Sequence, residues 1–248
     1  MAVQTEVNGI VLSSFPYGET DKRVILLTKE LGKVTAFARG AKRMNSSLSA
    51  ATRTFAFGRF TLHPGRSAYT LSKADISEYF EDIVRDMEKT AYGCYFLDLA
   101  GMFAGENTDE TKSLLLCYYA LKALSNPRMK HELVRRIFEL KLLNINGLLP
   151  DVSRCSVCKE PVQEGIFVPA LMQVVGSECR KDSMQGIFLN RSALYALSFI
   201  GITEPGKLFS FVLSDETLSQ ITAVTRVLLN NAWEKEPESG KMLEVLVK

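Results

Sequence analysis

"KRVILLTKELGKVTAFARGAKR" spans residues 22–43. Its first two pieces, 22–29 and 32–38, are short runs rich in Val, Ile, Leu, Thr and Phe, with Gly32 as the turn between them. That composition predicts two strands. Three similar runs flank them: "TEVNGIVLSS" (5–14), "RTFAFGRFTLH" (53–63) and "AYTLSKADI" (68–76). Pro16–Gly18 and "HPGRS" (63–67) supply further turns. Five strands in about 80 residues suit a small closed barrel, and an OB-type barrel is one such solution, with a face and loops that bind single-stranded nucleic acid. "SSLSAAT", between the third and fourth runs, would be a short helix.

The quoted stretch ends in a basic loop. "ARGAKRMNSS" (38–47) places Arg39, Lys42 and Arg43 together. An isolated basic ten-mer is ordinarily a solvated face. Here, however, no Asp or Glu occurs from Leu31 to Ala74, while Lys33, Arg39, Lys42, Arg43, Arg53, Arg59, Arg66 and Lys73 all do. A solvated face mixes both signs because like charges repel. A run of one sign predicts a surface for a polyanion.

The whole chain of 248 residues has a net charge of +2, which conceals an asymmetry. Residues 1–80 carry eleven Lys/Arg against six Asp/Glu, or +5; the remainder carries nineteen against 22, or −3. Length and apolar content allow two domains with real cores. The start, "MAVQTEVNGIVLSS", has no basic region or long apolar run, and no stretch is apolar enough to span a membrane. Five cysteines, an odd number, do not suggest a disulfide framework, so a cytoplasmic protein is expected.

From about Ile83 the spacing becomes helical. Helices are predicted over 83–104, 109–125 and 128–147, the last ended by Gly147 and Pro150. Two more are predicted at 191–200 and 215–233. A cysteine-bearing insert occupies about 151–188. Within 128–147, Glu132 with Arg136 and Arg135 with Glu139 are i,i+4 pairs in the favourable order, which reads as an ordinary surface helix. Its functional alternative is a basic-rimmed groove for an acidic, apolar peptide, with Arg135 on the rim.

"CSVC" (155–158) offers two thiolates for a tetrahedral Zn²⁺. Downstream, "CRKD" gives Cys179 and then Asp182 where a second C-x-x-C pair would end. Cys155, Cys158, Cys179 and Asp182 are therefore the candidate zinc ligands, although structural sites prefer sulfur and nitrogen to oxygen. The alternatives are a finger that folds without its ion, and a redox pair, which would need its first cysteine at a helix N-terminus. Cys94 and Cys117 lie in apolar helical surroundings and read as core. Among the barrel aromatics, Phe55 and Phe57 read as core and Tyr17 as exposed. There is no nucleophile elbow, no P-loop and no telling acid pair, so an enzyme is not expected.

"YGETDKRVILLTKELGKVTAFARGAKR" (17–43), "FELKLLNINGLLPDVSRCSVC" (138–158) and "VVGSEC" (174–179) resemble the bacterial recombination-repair mediator family RecO. The resemblance implies an α+β chain: an N-terminal five-stranded OB-fold barrel (1–80), then an all-α domain (81–248) carrying a small zinc-finger-like insert. It also implies binding of single- and double-stranded DNA, strand annealing, and help in loading RecA onto DNA coated by single-stranded DNA-binding protein. The implied partners are RecR and the acidic C-terminal tail of that binding protein. The family's finger usually carries four cysteines; this chain departs from that at Asp182. On the joint reading, Arg39, Lys42, Arg43, Arg53, Arg59 and Arg66 contact phosphates, and six such contacts give a salt slope of roughly −4 for single strands. The competing expectations are an RNA-binding or ribosome-associated factor on the same barrel, and a thiol enzyme using Cys155 and Cys158.

Overall fold

The computed structural model describes residues 4–233 and 236–246. Strands β1 (Thr5–Tyr17), β2 (Asp21–Thr28) and β3 (Gly32–Ala38) are followed by a short helix, α1 (Leu48–Ala51), and then by β4 (Phe57–Pro64) and β5 (Tyr69–Glu78). They form a closed barrel in the order β1-β2-β3-β5-β4. Neighbours are antiparallel except β3 and β5, which run parallel over Ala36–Ala38 and Tyr69–Leu71. Side chains alternate across each strand. Val7, Val11, Val24, Leu26, Val34, Ala36, Phe60, Leu62 and Leu71 fill the interior. Gly32 closes the β2–β3 turn at φ +65°, where a Cβ would lie 2.2 Å from the Gly105 carbonyl oxygen, so no side chain fits.

By Cα packing the chain forms two compact units. The first runs to Ser125 and takes in the terminal stretch from Pro237; the second is Asn126–Glu236. In the first unit, α2 (Glu81–Val84), α3 (Met87–Phe103) and α4 (Thr111–Leu124) follow the barrel. Helix α3 packs on β1 and α4 on β2. Asp86 caps α3 by accepting from the Lys89 N–H. Phe55, buried against Gly93 of α3, holds a left-handed φ of +74°. Phe57, expected in the core, is only half-buried, and its ring meets Tyr118 at 4.8 Å.

The second unit is built around α5 (His131–Ile145), with β6 (Gly165–Val168), β7 (Gln173–Gly176) and β8 (Ile187–Leu189) in the order β7-β6-β8. It continues through α6 (Arg191–Ile202), α7 (Pro205–Leu208) and α8 (Asp215–Ala232). The terminal helix, α9 (Glu238–Leu246), packs on α3 of the first unit. No helix among the described residues is long and apolar enough to cross a membrane.

Helix α5 corrects a sequence expectation. It is not a surface helix: every residue from Leu133 to Leu143 is buried, with α6 and α8 packed against it. Arg135, Arg136 and Glu139 go inside because, together with Glu132, they neutralise one another. Arg136 Nη1 donates to Glu139 Oε2 at 2.7 Å, its Nε donates to Glu132 at 2.8 Å, and Arg135 Nε donates to Glu139 Oε1 at 2.9 Å. Glu139 is 0% exposed. Such a charge persists only when paired and hydrogen-bonded.

Candidate nucleic-acid interface and thiol cluster

Two loops meet at one end of the barrel. The β1–β2 turn, Gly18–Thr20, lies beside the loop that leaves β3 at Arg39. Asp21 Oδ1 accepts from the Gly40 N–H at 2.8 Å and from the Thr20 hydroxyl at 2.9 Å. The Lys42 N–H donates to the Thr20 carbonyl at 2.8 Å, and Lys42 Nζ to the Gly18 carbonyl at 3.2 Å. Ala41 is buried in the barrel core, so Arg39, Lys42 and Arg43 project outward around a fixed point. The Gly40 N–H, then the Thr20 hydroxyl and the charges of Arg39 and Arg43, hold the Asp21 carboxyl below the usual aspartate range.

The six candidate cations lie at three places on the barrel. Arg39, Lys42 and Arg43 sit together on the loop. Arg53 follows α1, close enough that its charge, after burial, helps push the Lys22 ammonium down. Lys22 pairs across the sheet with Ala38, at the root of the same loop, and donates to Thr52 Oγ1 at 3.2 Å. Arg59 lies elsewhere, on the outside of β4. Strand pairing places Asn8 on one side of it and Asp75 on the other, and Glu6 Oε2 is 4.0 Å from its Nη1. The stretch without acids in sequence thus acquires acids in space. Arg66 sits in the β4–β5 turn beside Lys33, Thr35 and Glu106, toward the opposite end of β3 from Arg39.

Next to the loop is a group that sequence reasoning missed in part. Phe15, Arg23 and Phe37 are direct cross-strand partners on β1, β2 and β3. Phe15 is 48% exposed and Tyr17 55% exposed. The Tyr17 and Phe37 rings are 4.6 Å apart, and the Arg23 guanidinium lies 5.7 Å from the centre of the Phe15 ring. Exposure of Tyr17 was expected from its Pro-Tyr-Gly setting. Only register, which the sequence does not print, reveals the row that joins Phe15 to Phe37.

In the insert, the sulfurs of Cys155, Cys158 and Cys179 lie within 4.8 Å of one another. Tetrahedral Zn²⁺ with S at about 2.3 Å needs sulfurs about 3.8 Å apart, so the three thiols fit the ion. Cys155 Sγ accepts from the Val157 and Gly176 N–H groups, each at 3.4 Å. Burial pushes the Cys155 thiol up, but N–H bonds from Cys158, Gly176 and Val157 outweigh it and bring it down to about 6. Cys179 hydrogen-bonds Cys158 and Cys155 and is pushed up to about 11. Three thiols this close could share one cation, which would fasten the knuckle to β7. Asp182 lies in an exposed turn and does not belong to the group, among the described residues. Cys94 and Cys117 are apart from it; burial pushes Cys117 up to about 12.

The expected peptide pocket at Arg135 is closed, because that side chain is buried and bonded to Glu139. An apolar groove lies instead along α6. Tyr195, Phe199, Phe211 and Val212 line it, with Arg191 at its edge. The Phe199 and Phe211 rings meet edge to face at 5.4 Å.

Two family models match: "Recombination protein O N terminal" over residues 1–80 and "Recombination protein O C terminal" over residues 84–240. Relatives called "DNA repair protein RecO" are similar over nearly the whole length. That of Symbiobacterium thermophilum is 32% identical, covering 97% of this chain and 96% of the relative. That of Clostridium novyi is 30% identical over 97% and 94%, and that of Clostridium perfringens strain 13 is 28% identical over 97% and 98%. The chain belongs to the recombination protein O (RecO) family.

Proposed function

We propose that this chain is a mediator of DNA repair and recombination that acts by binding, without turnover. It binds single- and double-stranded DNA and anneals complementary strands. With RecR, it helps load RecA onto DNA coated by single-stranded DNA-binding protein. The observation that carries this reading is the pinned loop: Arg39, Lys42 and Arg43 exposed together, with Arg53 and Lys22 at its root. Each phosphate neutralised by such a cation releases counterions, which drives binding regardless of sequence. Two strands held on one basic surface repel each other less and meet at a raised effective concentration. Annealing then requires no covalent chemistry.

The test is ATP-free annealing of complementary oligonucleotides. The double variant Lys42→Ala/Arg43→Ala should lose most of the wild-type rate. An unchanged rate would end the proposal. Competition between RNA and DNA oligomers of one sequence checks the substrate; equal competition would favour an RNA-binding role for the same barrel.

The acidic tail of the single-stranded DNA-binding protein is assigned to the α6 groove rather than to α5. The rings take an apolar end and Arg191 meets carboxylates. Arg191→Glu should abolish binding of a labelled acidic peptide with an apolar C-terminal residue. Retained affinity would place the tail elsewhere.

A further inference from the structure

We propose that Phe15, Tyr17 and Phe37, with Arg23 between them, form a stacking platform for unpaired bases. This inference rests on the nucleic-acid reading of the barrel and adds a second, base-dependent component to it.

The outer face of β1–β2–β3 is built in cross-strand rows. Ser13, Ile25 and Thr35 form one row. They line a hollow with Gly101 and Met102 of α3, so the helix attends to that part of the sheet. The next row, Phe15–Arg23–Phe37, lies beyond it, and Tyr17 stands above Phe37. Here the protein leaves large rings half in water, although the same face is shielded one row below. Exposed apolar surface beside a cationic rim marks a binding site. Arg39 follows Phe37 by two residues, just past the end of β3, and opens the loop that carries Lys42 and Arg43. A single strand laid across this end would have its phosphates against the loop and its bases over the rings.

The chemistry selects unpaired bases. Every base has a π-face that stacks on an aromatic ring, and a guanidinium adds cation–π attraction. In a duplex those faces are already stacked on neighbouring pairs and only edges are presented. The loop therefore supplies affinity for any phosphate chain, and the platform supplies preference for single strands. An apolar peptide would also cover rings. The adjoining cations, Arg39, Lys42 and Arg43, favour nucleic acid.

The experiment uses the full chain and three labelled probes of equal length: an oligothymidylate, the same phosphate chain with abasic sites, and a duplex. Wild type should bind the oligothymidylate about tenfold more tightly than the abasic strand. Phe15→Ala and Tyr17→Ala should erase that ratio while leaving the salt slope unchanged. Tyr17→Trp, which keeps a ring, should restore it and show fluorescence quenching by the oligothymidylate. Lys42→Ala/Arg43→Ala should flatten the salt slope yet preserve the ratio. If wild type holds abasic and base-bearing strands equally, or if Tyr17→Ala keeps the ratio, the platform is overturned while the loop reading stands. If the loop variant changes no slope but the ratio persists, the loop reading fails and the platform remains. Alanine variants that lose only a protein partner would make this face a protein-docking surface and overturn the proposal.

Discussion

Asp21 Oδ1 accepts a hydrogen bond from the Gly40 backbone N–H at 2.8 Å, tying the start of β2 to the left-handed turn of the basic loop. By charge alone, an acid at the centre of a cationic loop opposes anion binding. Its geometry gives it another role. It fixes where Arg39 and Arg43 begin, and Gly40, at φ +67°, is the residue that allows the turn.

That bond has a pH signature. A carboxyl held below its unfolded value of 3.8 contributes stability that is present above that value and lost as pH falls through its lower folded value. The Gly40 amide proton, followed by NMR, should therefore titrate with a midpoint below 3.8. A midpoint at or above 3.8 would mean that the loop is not held by this bond.

Replacing Asp21 separates charge from geometry. Asp21→Asn keeps an acceptor for Gly40 and removes a negative charge, so single-strand affinity should be equal to or above wild type. Asp21→Ala should loosen the loop, seen as raised amide exchange at Gly40–Arg43, and weaken binding a few-fold. Identical behaviour of the two variants in both measurements would rule out a positioning role.

The thiol cluster predicts about one zinc per chain by elemental analysis, with Cys158→Ser or Cys179→Ser strongly reducing it. Asp182→Ala should retain the metal. Chelation should lower the melting temperature of the insert while the barrel keeps its own, because binding free energy at such a site is folding free energy. Loss of zinc in Asp182→Ala would make that carboxylate a ligand after all.

The buried ion network should dominate the electrostatics of stability. Glu139→Ala removes the carboxylate shared by two buried guanidinium groups and should cost about 3–5 kcal/mol by denaturant midpoint. Arg59→Ala, whose exposed partner is 4.0 Å away, should cost at most about 1 kcal/mol. Equal effects would contradict the burial of α5.

The sequence and the structure part company for identifiable reasons. The five strands were legible because alternation and turn residues are local signals, and each predicted run overlaps a strand of the barrel. The helices after Ile83 were legible for the same reason. Arg59 and Arg66 follow the loop closely in sequence, but distance in sequence does not fix distance in space. Strand pairing instead carried Arg59 toward Glu6 and Asp75. The row Phe15–Arg23–Phe37 was invisible because it joins three strands by register. Helix α5 read as a surface helix because its charges pair at i,i+4. The same pairing, shared through Glu139, is what allows burial. The C-x-x-C knuckle was plain, while the departure of Asp182 from the cluster depends on the turn after Cys179.

The most direct measurement is the salt dependence of single-strand affinity, wild type against Lys42→Ala/Arg43→Ala. Arg39, Lys42, Arg43 and Arg53 give about four phosphate contacts, so log affinity should fall with log salt at a slope near −3, and the double variant should be shallower by about 1.4. A slope that is the same in both proteins would contradict phosphate contact by this loop.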